Sequence, residues 1–336
     1  MTRTMKAIRL HEFGGPQVLR LDEVPVPAPG PGEVLVRVRA VGVNPPDWYA
    51  REGMPDVPPD LKPSLVLPLI PGTDVSGVVE EVAADVDGFA VGDEVFGLLR
   101  FPTVMQSGAY AEYVTAPASD LAHKPAAVDH VEAAGAAMSG LTAWQFLIDV
   151  GHEYPSPFQK ARHRPMALDG EKTVLVNGAA GGVGHLALQL AKWRKARVIA
   201  VASGAHESFL RELGADEFID YTKVRAEEAV RGVDLVLDCV GGPRSRRFLG
   251  VVKRGGALYP VYPGVFDDEE SAALGVTVTA TQVRASGAQL AELGRLLDDD
   301  TIRVAIDTIF RLEDSRAAHQ RAAEGHIRGK IVLAFA

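Results

Sequence analysis

The sequence has a single cysteine, Cys239, among its 336 residues. One cysteine can form neither an internal disulfide bond nor a cluster of thiolate ligands for zinc. Such cysteine usage is typical of reducing compartments, so we expect a cytoplasmic protein. Because Cys239 follows an apolar segment, "DLVLD", with no basic residue beside it, we interpret it as a small apolar filler.

Long apolar runs and basic tracts are also missing. No run approaches the roughly 18 apolar residues of a membrane span, and the first residues, "MTRTMKAIRLHEFGG", lack the apolar core of a signal peptide. The 35 basic and 44 acidic residues give a net charge of -9 without a cluster of Lys and Arg. We therefore expect neither a membrane nor a nucleic acid as a partner.

Two patterns follow each other along the chain. Short alternating segments such as "VLVRVRAV", separated by Pro and Gly turns, predict β-structure in residues 1–124, and residues 283–336 have a similar mixed character. Residues 125–282 alternate apolar strands with helices, which predicts a parallel sheet covered by helices. A chain of 336 residues exceeds one hydrophobic core. We predict one domain from residues 1–124 and 283–336 and another from 125–282.

Two further segments carry structural expectations. The proline-rich stretch 151–172 has no periodicity, so we interpret it as an extended surface loop in which His152 and His163 are solvent-exposed. The segment "VTVTATQV" alternates apolar and Thr residues and fits the edge of the parallel sheet. An unpaired edge invites a two-fold partner, so we expect a homodimer.

A glycine-rich turn, "NGAAGGVG", follows a strand and opens a helix. In this pattern, Ala179-x-Gly181-x-x-Gly184, the small residues allow a tight turn and a close approach to a pyrophosphate. The helix N-terminus then offers free N–H groups to the phosphates. The turn predicts a dinucleotide site.

The next strand ends at Ser203, in "VIAVASGAHESF". A carboxylate at this place accepts hydrogen bonds from the ribose of NAD and repels a 2'-phosphate. Here the first acid, Glu207, already belongs to the next helix. A hydroxyl followed by His206, a possible cation, favours NADPH.

Several segments, in order from about residue 5 to 334, resemble the medium-chain dehydrogenase/reductase superfamily, and in particular its zinc-free quinone oxidoreductase branch, which is zeta-crystallin-like. They include "VGVNPPDWYAREG", "IPGTDVSGVVEEV", "GAYAEYV", "NGAAGGVG" and "GHIRGKIVL". The resemblance implies an α/β protein. Its catalytic domain would be a GroES-like, partly open β-barrel, and its second domain a Rossmann fold with a doubly wound parallel sheet, the active site lying in the cleft between them.

The resemblance also implies the residues that bind the cofactor. Positions matching Ser203, His206 and Tyr221 surround the adenosine 2'-phosphate. The positions expected at the pyrophosphate and nicotinamide are Asn44, Thr142, Ala180, Gly181, Gly182, Val183, Val240, Val261, Tyr262 and Lys330.

No metal site is expected. Zinc-dependent members of the superfamily carry a Cys where this chain has Asn44, and Gly-His-Glu where it has Gly72-Thr73-Asp74. An Asn carboxamide without His or Cys nearby cannot supply a tetrahedral donor set. Without a Lewis acid, reduction of a quinone or enone is favoured over oxidation of an alcohol.

The segment "NPPDWY" carries the candidate catalytic residues Asn44 and Tyr49. Asn44 can donate from its amide and Tyr49 from its phenol. The alternatives are a turn residue for Asn44 and a core aromatic for Tyr49. We expect Asp47 to cap or brace this segment rather than to act as a base.

The predicted function is an NADPH-dependent, zinc-independent oxidoreductase that transfers hydride to a quinone or an α,β-unsaturated carbonyl. One alternative is an enoyl-thioester reductase with Tyr49 as its proton donor. Another is an NADPH-binding structural or regulatory protein with little turnover.

Overall fold

The computed structural model describes residues 3–59, 61–100, 108–154, 162–262, 264 and 266–335. The chain divides into two compact units. Unit 1 comprises Met1–Leu141, Val283–Asp300 and Val304–Ala336, and unit 2 comprises Thr142–Gln282 and Thr301–Arg303. The predicted domain boundary after residue 124 stays a prediction.

The first part of unit 1 is rich in β-structure. Its elements are β1 (Thr4–Leu10), β2 (Leu19–Pro25), β3 (Glu33–Gly42), α1 (Pro45–Arg51), β4 (Asp74–Val82), β5 (Glu94–Leu98), β6 (Tyr113–Pro117) and β7 (Leu121–His123), with 3₁₀ turns at Pro16–Val18 and Ala118–Asp120. In β3 the apolar Val34, Val36 and Val38 are buried, whereas Arg37 and Arg39 are half-buried. The alternation predicted for this strand is confirmed.

Unit 2 begins within helix α2 (His130–Leu147), whose first residues belong to unit 1. Its other elements are β8 (Thr173–Asn177), α3 (Gly182–Trp193), β9 (Arg197–Ala202), α4 (Glu207–Glu212), β10 (Glu217–Asp220), α5 (Ala226–Ala229), β11 (Val233–Asp238), β12 (Val252–Pro260), α6 (Asp268–Leu274) and β13 (Thr277–Val278), with 3₁₀ segments at Gly204–His206 and Gly242–Gly250. All strand pairs are parallel in the order β10-β9-β8-β11-β12-β13. The order reverses between β8 and β11, the switch point at which such sheets bind nucleotides.

The chain then returns to unit 1 through α7 (Gly287–Asp298), β14 (Ile306–Arg311), a 3₁₀ turn at Leu312–Asp314, α8 (Ser315–Glu324) and β15 (Lys330–Ala334). A seven-stranded sheet has the order β14-β15-β3-β4-β5-β7, and β6 also pairs with β3. Strand β15 lies antiparallel to β3, with Val332 opposite Gly42. This pairing brings residues from opposite ends of the sequence together.

Each unit has its own apolar core. Ile8, Val36 and Leu333 belong to the core of unit 1, and Val201 and Leu258 to that of unit 2. No helix in the described part of the chain is long and apolar enough to cross a membrane.

The segment 151–172 corrects one expectation. His163 is only 4% exposed, which contradicts the prediction of a solvated side chain. Its ring nitrogens lie 3.0 Å from Thr279 Oγ1 and 3.1 Å from Phe146 O. Burial lowers the pKa of His163 to about 4, so the ring is neutral. Proline content indicated a loop, but sequence alone could not show that the segment packs back onto unit 2; residues 155–161 of this loop lie outside the described residues.

The segment "VTVTATQV" forms only the two-residue strand β13. This strand is the last in the order of the parallel sheet, so its predicted edge position is confirmed. A two-fold partner at this edge stays a prediction.

Candidate active site

Asn44 occupies the junction between β3 and α1. It is the N-cap of α1, with φ -131° and ψ 158°, and Pro45 and Pro46 follow as the first helical residues. Proline suits this position because its fixed φ fits a first helical turn, where no N–H is required. The Asn44 N–H donates to Asp47 Oδ2 at 2.8 Å. The prediction that Asp47 braces this segment is confirmed.

Around Asn44 lies a closed cluster formed with Asp74 and Lys330. The three residues are 2%, 0% and 3% exposed, respectively. Asn44 Nδ2 donates to Asp74 Oδ2 at 2.8 Å and to Gly42 O at 3.3 Å, while Lys330 Nζ donates to Asn44 Oδ1. Lys330 Nζ also lies 3.5 Å from Asp74 Oδ2. The amide is therefore held between a buried cation and a buried carboxyl group.

Burial dominates the electrostatics of the two carboxyl groups. It raises the pKa of Asp74, and this rise is opposed by Lys330, by Asn44 and by the backbone N–H of Met138 at 2.7 Å. Burial likewise raises the pKa of Asp47 to about 7, opposed by the Asn44 N–H. Among the described residues, Asp47 Oδ1 has no hydrogen-bond partner. A carboxyl group with an unpaired buried oxygen favours the protonated state.

Asp47 continues into a buried chain of hydrogen bonds through Tyr110, His319 and Arg51. Arg51 Nη1 lies 2.8 Å from His319 Nδ1, and His319 Nε2 lies 3.1 Å from Tyr110 Oη. Burial lowers the pKa of His319 to about 3, so its ring is neutral. Arg51 can only donate, so Nδ1 accepts and Nε2–H donates to Tyr110. Tyr110 in turn donates to Asp47 Oδ2 at 3.3 Å.

Tyr49 lies on the same helix, α1, one turn after the Asn44 cap. Its side chain is half-buried, and its ring packs edge-on against Trp48 with 5.9 Å between centroids. The cluster that fixes the start of α1 thus also fixes the position of Tyr49.

In unit 2 the glycine-rich turn connects β8 to α3. Gly181 is the N-cap of α3 and provides no side-chain cap. A Cβ at Gly184 would lie 2.2 Å from Gly178 O and 2.8 Å from Ala179 Cα, so only glycine permits this contact of helix and strand. The first N–H groups of α3 therefore follow a turn of glycine and alanine residues, none of which carries a large side chain.

The carboxyl ends of β8 and β11 are joined beside this turn. Asn177 Nδ2 donates to Asp238 Oδ1 at 2.7 Å. Asp238 Oδ1 also accepts from the N–H groups of Val240 at 3.1 Å and Gly241 at 3.0 Å. Asp238 is 1% exposed and therefore shapes the backbone after β11 rather than facing a ligand.

Comparisons with known proteins identify the family of this chain. The model for the alcohol dehydrogenase GroES-like domain matches residues 30–126, and the model for zinc-binding dehydrogenase matches residues 213–333. The chain is 31% identical to a quinone oxidoreductase of Lama guanicoe, with 98% of each chain covered. It is also 31% identical to the mitochondrial NAD(P)H oxidoreductase RTN4IP1 of Mus musculus, covering 98% of this chain and 89% of that protein.

Among solved structures, the quinone oxidoreductase from Coxiella burnetii aligns with a TM-score of 0.85 and 32% identity, covering 99% of this chain and 100% of that chain. The chain belongs to the quinone oxidoreductase branch of the medium-chain dehydrogenase/reductase superfamily. It is therefore an oxidoreductase with a GroES-like domain and a Rossmann-like parallel sheet, as the resemblance predicted.

The residues predicted for this oxidoreductase fall into two groups. Asn44, Tyr49 and Lys330 belong to unit 1, where Asn44 and Lys330 are in direct contact. The others belong to unit 2: Thr142, Ala180, Gly181, Gly182, Val183, Ser203, His206, Tyr221, Val240, Val261 and Tyr262. Thr142 is buried in α2, whereas the remaining members of this group follow strands β8 to β12 at their carboxyl ends. Their roles stay predictions.

No sequence pattern indicates a role for Arg51, Tyr110 or His319. Tyr110 lies inside a segment that carried the family resemblance, "GAYAEYV", but its partner His319 is 209 residues away. A tyrosine, a histidine and an arginine in three separate segments give no local signal of contact.

Proposed function

We propose that this oxidoreductase uses NADPH and transfers hydride to a quinone or an α,β-unsaturated carbonyl without a metal ion. The observation that carries the proposal is the buried cluster of Asn44, Asp74 and Lys330. The resemblance implies zinc ligands in the zinc-dependent members at the positions of Asn44 and of Thr73-Asp74. Here Asn44 supplies an amide instead of a thiolate, and Lys330 donates to that amide. The family model described as zinc-binding dehydrogenase matches residues 213–333. Of the three cluster residues, this range contains Lys330 but neither Asn44 nor Asp74.

The donor chemistry supports the absence of zinc. The described residues contain no group of three or more His, Cys, Asp or Glu side chains that could hold a metal ion. Lys330 Nζ donates to Asn44 Oδ1, and an ammonium group in this contact would repel a zinc ion bound at Asn44.

The residues of unit 2 fit a nicotinamide dinucleotide. The N-terminus of the 12-residue helix α3 follows a small-residue turn, which suits a pyrophosphate. When bound, the cofactor supplies the hydride. One relative is named an NAD(P)H oxidoreductase. Ser203, in place of an acid at the end of β9, favours NADPH over NADH.

Hydride addition to a quinone or enone creates an oxyanion, which polar donors can stabilise without a metal. Of the two Asn44 amide bonds, the one to Gly42 O is the longer at 3.3 Å, so its hydrogen is the one available to a ligand. Lys330 and Asp74 hold this amide in position. Tyr49 is the candidate proton donor, with solvent as the alternative.

The test measures NADPH oxidation by the purified protein in the presence of each member of a panel of quinones and enones. The absorbance of the nicotinamide reports the oxidation. We expect turnover that is unchanged after treatment with a chelator, in protein shown by elemental analysis to be free of zinc. Absence of NADPH oxidation across the whole panel, together with tight NADPH binding, would instead support a binding protein with little turnover.

The Tyr49→Phe variant separates the proton donors. If Tyr49 donates, kcat falls by about 100-fold while the KM for NADPH is unchanged. Unchanged kcat assigns the proton to solvent. Full turnover of an enoyl-thioester by Tyr49→Phe would contradict the role of Tyr49 as the proton donor in the enoyl-thioester reductase alternative.

A further inference from the structure

A carboxylate reaches the end of β9 from the neighbouring strand. Asp220 is the last residue of β10 and is paired in register with Ala202, the last residue of β9. The Tyr221 N–H donates to Ala202 O at 3.1 Å. A Cβ at Gly204 would lie 2.5 Å from Asp220 Oδ2, so the carboxylate is packed directly against the backbone that follows Ser203.

Asp220 is oriented and paired with a cation. Its Oδ1 accepts from the Thr222 hydroxyl at 2.7 Å and from the Thr222 N–H at 3.0 Å, and its Oδ2 lies 3.3 Å from Lys223 Nζ. The hydrogen bond from the Thr222 hydroxyl is the main cause that lowers the pKa of Asp220, which is ionised at neutral pH. The side chain of Lys223 is 80% exposed, whereas that of Asp220 is 12% exposed. The pair therefore presents its cation to solvent and its anion to the backbone.

The end of the second strand of a doubly wound sheet is where the adenosine ribose binds. An acid at this place selects the free ribose diol of NADH, and a basic side chain accommodates the 2'-phosphate of NADPH. In this chain β9, the second strand of this sheet in sequence order, is followed by Ser203 at that place. The next strand, β10, ends at Asp220, and Lys223 lies in the turn after it. Two arginines of the region are paired with glutamates: Arg211 with Glu207 and Arg225 with Glu228.

We propose that the Asp220–Lys223 pair sets the nucleotide preference of this enzyme. Lys223 supplies the cation for the 2'-phosphate, and Asp220 tethers Lys223 beside Ser203. The negative charge of Asp220 limits the gain in affinity that Lys223 provides for the 2'-phosphate, so the enzyme also accepts NADH at a measurable rate. This inference rests on the proposed use of NADPH.

The experiment measures binding and turnover in the full-length protein. Calorimetry with adenosine 2',5'-bisphosphate and with 5'-AMP isolates the 2'-phosphate from the nicotinamide and from catalysis. We expect Lys223→Gln to weaken the bisphosphate by about tenfold while the affinity for 5'-AMP changes by less than about twofold. The kcat/KM ratio of NADPH to NADH should fall by about the same factor, and added salt should shrink the difference.

Two further variants complete the design. Asp220→Asn removes the opposing charge but keeps the Thr222 hydrogen bonds to its amide oxygen, and should weaken NADH relative to NADPH by about threefold. Arg225→Gln is the matched control, because it removes an exposed cation two residues from Lys223 that is paired with Glu228. Arg225→Gln should leave the affinity ratio of the bisphosphate to 5'-AMP and the kcat/KM ratio of NADPH to NADH within about twofold of the wild type.

The outcomes separate the two proposals. If the wild type uses NADPH but Lys223→Gln and Arg225→Gln have equal effects, the assigned role of the pair is wrong and the proposed function stands. If the wild type binds 5'-AMP as tightly as the bisphosphate and oxidises only NADH, both the pair's role and the proposed use of NADPH are overturned.

Discussion

The residues predicted at the active site differ in exposure between the two units. In unit 1, Asn44, Asp74 and Lys330 are each at most 3% exposed and satisfy one another. In unit 2, side chains predicted at the cofactor are open to solvent, with Val240 55% and Tyr262 39% exposed. A closed cluster fixes the geometry of its members, whereas an exposed surface is directly accessible to a ligand.

This difference separates positioning from binding. The charges of unit 1 are buried, so losing one partner leaves an uncompensated charge in the protein interior. The charges of unit 2 are mostly exposed, so losing one changes ligand preference more than stability. Three variants, each with its own control, test this contrast, from the largest expected effect to the smallest.

Removing the buried cation should have the largest effect. We expect Lys330→Met to lower the free energy of unfolding by about 3–5 kcal/mol, because Asp74 is left buried with only the Asn44 amide and the Met138 N–H as partners. Urea unfolding without nucleotide measures this loss.

Lys192→Met provides the control for Lys330. Lys192 pairs with Asp216 at 2.8 Å, but the two side chains are 30% and 36% exposed. Its removal should cost less than about 1 kcal/mol. Equal losses in the two variants would contradict the distinction between closed and open charges.

Asp47→Asn should change how stability depends on pH. The folded-state pKa of Asp47 is about 7, above its ordinary value of 3.8, so the folded protein binds this proton more tightly than the unfolded chain. The resulting stabilisation is fully present below pH 3.8 and is lost as the pH rises through 7. The stability of Asp47→Asn relative to the wild type should therefore increase by on the order of 2–4 kcal/mol between pH 4 and pH 8, measured by urea unfolding.

Asp307→Asn should show the opposite trend. Hydrogen bonds from the Arg328 N–H, from Thr308 and from Arg321 lower the pKa of Asp307, against the effect of its burial. The stabilisation in the wild type is present above pH 3.8 and is lost as the pH falls through the lower folded-state pKa. The same trend in both variants would mean that folding lowers the pKa of Asp47 instead of raising it, and no trend for Asp47→Asn would mean that folding leaves this pKa unchanged.

Adding a methyl group at the close backbone contact of the glycine-rich turn should have the smallest effect on stability of the three variants. Its effect on nucleotide binding should be large. We expect Gly184→Ala to lower the free energy of unfolding by about 1–3 kcal/mol, because its Cβ would lie 2.2 Å from Gly178 O. The turn must then shift, and calorimetry should show weaker binding of adenosine 2',5'-bisphosphate. Gly250→Ala, where a Cβ meets nothing within 4 Å, should change neither quantity.

The sequence predicted the parts of this fold that depend on local pattern. Strand β3 alternates, the helix after Gly181 starts where the small residues indicated, and the parallel sheet follows from the alternation of strands and helices. Strand β2, "LRLDEVP", was not predicted, since it pairs only with β1 among the described strands and exposes most of its residues.

The candidate site depends on contacts that no local pattern contains. Asn44 was singled out, but its partners Asp74 and Lys330 are 30 and 286 residues away. Asp220 was not predicted for a similar reason: an acid lies beside the end of β9, but it belongs to the next strand, and only the strand register pairs Asp220 with Ala202. His163 was misjudged because Pro-rich composition predicts a loop but not which of its side chains is buried.

The long separation of Asn44 and Lys330 has a consequence for the order of assembly during synthesis. At roughly 5–20 residues per second, the amide emerges from the ribosome about 15–60 s before the ammonium group that it binds. Thr142–Gln282, which forms most of unit 2, is synthesised entirely within that interval. The parallel sheet of unit 2 can thus fold first, at a stage when Lys330, the cation that pairs with Asp74, has not yet been synthesised. We expect nascent chains that stop before Lys330 to hold a folded second unit and an unfinished first one.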